Sequence, residues 1–202
     1  MKKYDFKKWK TVRFQKVDLS KLDDKTLLLN VYLTQALTLI AGLALIWVQG
    51  RAAGDVLALP AGWTPWAWGA GFALLVLAAD GALARFVPEE VTDDGGINDM
   101  LFRNRPVWHI ALLSFIVAVC EELLFRGAVQ HWLGSYWTSI LFAVVHVRYL
   151  KHWLMTGLVF SISYGLGYIA VRTGTLWTPI AAHFIIDLAM GLIIRYRRAD
   201  RP

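Results

Sequence analysis

Residues Val107–Leu133 read VWHIALLSFIVAVCEELLFRGAVQHWL, an apolar run interrupted by Glu121, Glu122 and Arg126. As a helix rising 1.5 Å per residue, a run of this length crosses the ~30 Å of hydrocarbon in a bilayer. Further apolar runs lie at Thr26–Val48, Pro65–Val87, Tyr136–Leu150, Trp153–Val171 and Thr175–Ile194. Only helices and closed barrels satisfy their backbone in lipid, and most of these runs have helical length. They predict an all-α, polytopic transmembrane helix bundle of about six spans.

Composition supports this reading. Of the 202 residues 57% are hydrophobic and 18% charged, and the mean hydropathy is +0.47, too apolar for an ordinary soluble domain. The net charge of +6 is concentrated at the ends: residues 1–25 carry nine Lys/Arg against four Asp, and residues 195–202 carry four Arg against one Asp. Basic tails at membrane edges account for that charge, and nucleic acid is not an expected partner. The single cysteine, Cys120, lies in an apolar run and reads as a small hydrophobe, which excludes a disulfide framework. Of the ten tryptophans, nine sit at or near the ends of the runs, where an amphipathic ring prefers the interface.

Four segments follow. Residues 1–25 form a basic N-terminal segment, with Phe6, Trp9 and Phe14 among its lysines, that either lies along anionic lipids or is a solvated tail. Residues 26–106 hold two accessory spans and an acidic loop, 107–194 the core, and 195–202 a basic tail. The first run is expected to be an uncleaved signal anchor rather than a cleaved signal peptide. The Lys/Arg bias places both termini in the cytoplasm, which an even number of spans permits. The row Gly157, Ser161 and Gly165, with Ser163 and Gly167 beside it, is expected to serve helix packing.

Ionisable residues at depth are costly and mark a functional site by default. Here they are Glu121, Glu122 and Arg126 in the third run, His146 at the end of Phe142–His146 in the fourth, and His183 and Asp187 in the sixth. Glu122 and Arg126 are i and i+4 and are expected to pair as a structural ion pair. Glu121 lies about 100° around the helix and is left for chemistry. His183 and Asp187 are also i and i+4, suited to a carboxylate that orients an imidazole. Phe142 can wall a pocket beside His146. Asp80 is expected to partner Arg85 or Arg126, and His109, His131 and His152 to be interfacial. Counted from the non-cytoplasmic helix ends, Glu121, His146 and His183 lie roughly 19, 15 and 12 Å deep.

Glu121-Glu122-xxx-Arg126, Phe142-xxx-His146 and His183-xxx-Asp187, in this order on separate spans, resemble the CAAX protease and bacteriocin-processing (CPBP, or Abi) family of intramembrane proteases. The resemblance covers about Val107 to Ile194. It implies peptide-bond hydrolysis inside the bilayer, with Glu121 activating a water and His146, His183 and Asp187 completing the catalytic site. Glu122, Arg126 and Phe142 would support it. It favours a glutamate-type mechanism without cofactor; zinc, held by His146, His183 and Glu121, is the alternative that the same donors leave open. A non-proteolytic scaffold or immunity protein and a small proton or metal-ion transporter are the rival readings. The expected substrate is a membrane-embedded protein or peptide: a leader peptide, a C-terminal sorting tail or a CAAX-like C-terminus. The expected location is a bacterial inner membrane.

Overall fold

The computed structural model describes residues 23–87, 96–150 and 152–197. Most of the basic N-terminal segment, most of the acidic loop and the end of the basic tail lie outside the described residues. Helix α1 spans Asp24–Val48, α2 Ala53–Val56, α3 Thr64–Leu83, α4 Ile97–Phe102 and α5 Val107–Glu122. A π-helical segment, Leu123–Val129, leads into α6, Gln130–Val145, followed by α7, Trp153–Thr173, and α8, Trp177–Tyr196. Local chemistry sets several ends. The Asp23 carboxylate accepts the Thr26 amide at 2.7 Å and caps α1, and the side chain of Thr26, followed by this amide, holds its pKa below the usual carboxylate value. Pro65 opens α3, and Gly174, in the left-handed region at φ 66°, closes α7.

Five helices among the described residues are long and apolar enough to cross a membrane, one of them the 39-residue stretch Val107–Val145. That stretch holds what the sequence divides into a third and a fourth span. Gly134 breaks it with φ 69° and ψ 171°, and the chain turns back, since the rings of Phe125 and Phe142 meet at 4.8 Å. The second arm of this hairpin, from Gly134 to His146, is only about 18 Å long at 1.5 Å per residue. The expected fourth span, Tyr136–Leu150, is thus corrected to roughly half a membrane crossing, and it ends where His146 leaves helical geometry (φ −81°, ψ 54°).

The long segments alternate in direction. Tyr32 and Gln49 of α1 reach His109 and Ala128, so α1 runs parallel to α5 and its π extension. Ile110 faces Gly191 and Glu122 faces His183, so α8 runs antiparallel to them. The start of α1 and the end of α8 meet at one end of the bundle: Arg105 pairs with Asp24, and Arg195 donates to the Arg105 carbonyl. Small residues permit the close helix contacts. A Cβ on Gly69 would stand 2.7 Å from the Thr178 carbonyl of α8, and one on Gly165 would meet the Phe72 ring. Gly157 and Ser161, expected to pack, do not: nothing stands within 4 Å of a Cβ at Gly157 among the described residues, and Ser161 is exposed. Leu29, Leu33, Leu37 and Ile40 on α1 and Leu74 and Leu75 on α3 remain exposed, an apolar surface that suits lipid rather than water. Trp47, Trp63, Trp108 and Trp153 are exposed at helix ends.

Candidate active site

The site is built where α5 passes into the π segment. Glu122 ends α5, and its side chain has no exposure to solvent. Its Oε1 accepts Nη1 of Arg126 at 3.0 Å and Nδ1–H of His183, on α8, at 2.8 Å. A carboxylate only accepts, so His183 carries a proton on Nδ1. Nε2 of His183 then faces Asp187 Oδ2 at 3.4 Å. Arg126 reaches a third helix, with Nη2 donating to the carbonyl and the hydroxyl of Ser163 on α7 at 2.9 and 2.8 Å. Its guanidinium also lies over the Phe142 ring, 4.9 Å from the centroid. In a medium of low polarity such a buried charge pair depends on further hydrogen bonds, of which His183 and Ser163 supply three, while Glu122 Oε2 and Arg126 Nε have no hydrogen-bond partner among the described residues.

The expected i, i+4 pair of Glu122 and Arg126 is therefore present, and Glu122 has a second partner that spacing could not reveal. Ser163, read from sequence as a packing residue, instead anchors Arg126. Asp80 is exposed on α3 and feels the charge of Arg197, rather than partnering Arg126. Glu121 points elsewhere and is half-buried. Its Oε1 accepts Nε2 of Gln35 at 3.3 Å. Gln35 belongs to α1, which the sequence sets outside the core; a glutamine within the apolar run Thr26–Val48 was the available signal.

His146 stands apart from this network. Its Nδ1 donates to the Phe142 carbonyl at 2.7 Å, and its ring lies 4.4 Å from that of Phe142. Phe142 thus stands between His146 and Arg126. Among the described residues His146 has no hydrogen bond to Glu121, Glu122 or His183, and no three His, Cys, Asp or Glu side chains cluster to hold a metal ion. Nδ1 of both histidines is bonded, which leaves Nε2 as the nitrogen that could ligate zinc, but Nε2 of His183 faces Asp187 and Phe142 lies between His146 and Arg126, so the donors do not converge in this arrangement.

The π segment bearing Arg126 is itself braced by the far end of α1. Gln49 donates to the Ala128 carbonyl at 2.9 Å and Arg51 to the Gly127 carbonyl at 2.7 Å. Single π turns inside α-helices often occur at functional sites.

An apolar helix bundle enclosing a Glu–Arg–His–Asp network defines an integral membrane protein with an ionisable site on its helices. A family model described as type II CAAX prenyl endopeptidase Rce1-like matches residues 103–189. The chain is also 40% identical over 134 residues to the uncharacterized protein YpbD of Bacillus subtilis (strain 168), covering 66% of this chain and 71% of that protein. No solved structure matches. The chain belongs to the Rce1-like type II CAAX prenyl endopeptidase family, a family of proteases.

Proposed function

We propose that the protein is an intramembrane endopeptidase that hydrolyses a peptide bond of a membrane-embedded protein or peptide, using a water activated by Glu121. The observation that carries this reading is the division between two adjacent carboxylates: Glu122 is fully buried and shared by Arg126 and His183, while Glu121 is half-buried with Gln35 alone as its hydrogen-bond partner among the described residues. In this reading Glu121 takes a proton from water as the oxygen attacks the carbonyl carbon. The tetrahedral oxyanion is held by His183. Since Nδ1–H serves Glu122, Nε2 can donate to that oxyanion only as the imidazolium, with Asp187 as the counter-charge. Glu121 then returns the proton to the leaving amine as the C–N bond breaks.

In the same reading Phe142 and His146, at the end of α6, meet the substrate. Each step uses groups of the chain and water, without metal. The membrane is proposed to be a bacterial inner membrane, with the end of the bundle carrying Asp24, Arg105 and Arg195 in the cytoplasm and the basic tails on anionic lipid.

The test is reconstitution of the full chain in vesicles with three reporters: a prenylated CAAX peptide, a leader peptide, and an apolar helix followed by basic residues. Mass spectrometry should find one of them cleaved by the wild type and intact with Glu121→Gln. A folded wild type that cleaves none of the three would overturn the reading in favour of a scaffold.

A further inference from the structure

Gln35 lies in the apolar middle of α1 and is 6% exposed. Its Nε2 donates to Glu121, and its Oε1, fully buried, has no hydrogen-bond partner among the described residues. The orientation of the amide is fixed by chemistry, because only the nitrogen can face a carboxylate. A buried amide oxygen without a donor costs about 1–3 kcal/mol, and here it lies on the amide that holds Glu121, where a water taken up by that carboxylate could supply the donor.

The position of this amide is set from both sides along α1. One turn before it, the Tyr32 hydroxyl shares a 2.8 Å hydrogen bond with His109. Two turns after it, Gly42 lets α1 lie directly on the π segment, where a Cβ would be 3.1 Å from the backbone nitrogen and Cα of Leu124. Farther along, Gln49 and Arg51 hold the carbonyls of Ala128 and Gly127. Helix α1 is thereby locked to the segment that carries Glu121, although Gln35 lies outside the residues matched by the family model.

We infer that Gln35 is a positioning residue of the hydrolytic site, holding the Glu121 carboxylate through Nε2 and accepting through Oε1 a hydrogen bond from the water that Glu121 activates. The inference rests on the endopeptidase reading. A carboxylate held at one oxygen keeps the other turned toward the water, and a second acceptor on that water fixes its lone pair toward the scissile carbonyl.

The experiment uses the full chain in vesicles with whichever of the three reporters the wild type cleaves. Gln35→Leu should lower kcat by about tenfold or more with KM changed by less than about twofold, and its unfolding temperature in detergent should match the wild type. Leu33→Ala, exposed on α1 two residues before Gln35, should keep wild-type kcat. If Gln35→Leu fails to fold, Gln35→Met, whose flexible chain fits the same slot, is held to the same criteria. Wild-type kcat in the folded Gln35 variant, while Glu121→Gln is inactive, overturns the role of Gln35 and leaves the endopeptidase reading standing. An equal loss of kcat in Leu33→Ala would reduce Gln35 to a helix-packing residue and overturn the inference as well. Absence of cleavage by the folded wild type overturns the endopeptidase reading, and the role of Gln35 with it.

Discussion

Glu122 and His183, separated by 61 residues in the chain, share a hydrogen bond of 2.8 Å, and the same Glu122 oxygen also accepts Arg126. One carboxylate thus joins the π segment to α8 and fixes the orientation and tautomer of the imidazole. Removing its charge leaves Arg126 buried with a neutral partner. Glu122→Gln should lower stability by about 3 kcal/mol, the scale found when one member of a buried pair is removed, and weaken any activity through His183. Thermal unfolding in detergent checks this. An unchanged unfolding temperature would mean that the pair contributes nothing to the folded state.

Glu121→Gln should behave in the opposite way. Its side chain is half-buried and the 3.3 Å bond to Gln35 is its single hydrogen bond among the described residues, so an amide at this place costs little stability. Loss of a general base should cost about 10²–10⁴ in rate. Initial rates on a cleavable reporter, together with unfolding curves, separate the two carboxylates. A folded Glu122→Gln variant as inactive as Glu121→Gln, with stability unchanged, would reverse the roles proposed here.

The sequence displays much of this bundle and less of its site. Span positions are legible because tryptophans mark the ends of long apolar runs, and the Glu122–Arg126 pair because residues four apart share a helix face. The pairing of Glu122 with His183 is not legible, since it depends on how α8 docks on α5. Nor is the π segment, which shifts every later residue around the helix axis and thereby directs Arg126 to Ser163. The half-length of the fourth run is hidden for another reason. Hydropathy continues through Val147 to Leu150, whereas helical geometry ends at His146. Gln35 was overlooked because a single neutral amide barely alters the hydropathy of a 25-residue helix.

Packing yields a prediction independent of chemistry. A Cβ on Gly69 would stand 2.7 Å from the Thr178 carbonyl oxygen, backbone that cannot rotate away, whereas nothing among the described residues lies within 4 Å of one on Gly71. Gly69→Ala should therefore destabilise the bundle by about 1–3 kcal/mol through separation of α3 from α8. Gly71→Ala, two residues on, should be neutral or stabilising by up to about 1 kcal/mol, as alanine favours helix over glycine. Unfolding curves of the two variants side by side decide it. Equal effects would mean that α3 and α8 are not in this close contact.

The last prediction concerns metal, and it follows from which atoms are already engaged. Zinc takes three or four ligands at about 2.0–2.2 Å from one point. His146 has its Nδ1 on the Phe142 carbonyl, and His183 has its Nδ1 on Glu122, so each could offer only Nε2. For His183 that nitrogen already faces Asp187, while Phe142 stands between His146 and the Glu122–Arg126 pair. Binding zinc through His146, His183 and Glu121 would require α6 to move toward α8 and Glu121 to leave Gln35, which would also remove it as a free base. Activity in vesicles should therefore survive exhaustive chelation, with elemental analysis finding less than stoichiometric metal in the purified chain. Loss of activity on chelation, restored by one equivalent of zinc, would make the enzyme a metalloprotease and assign Glu121 to the metal instead of the water.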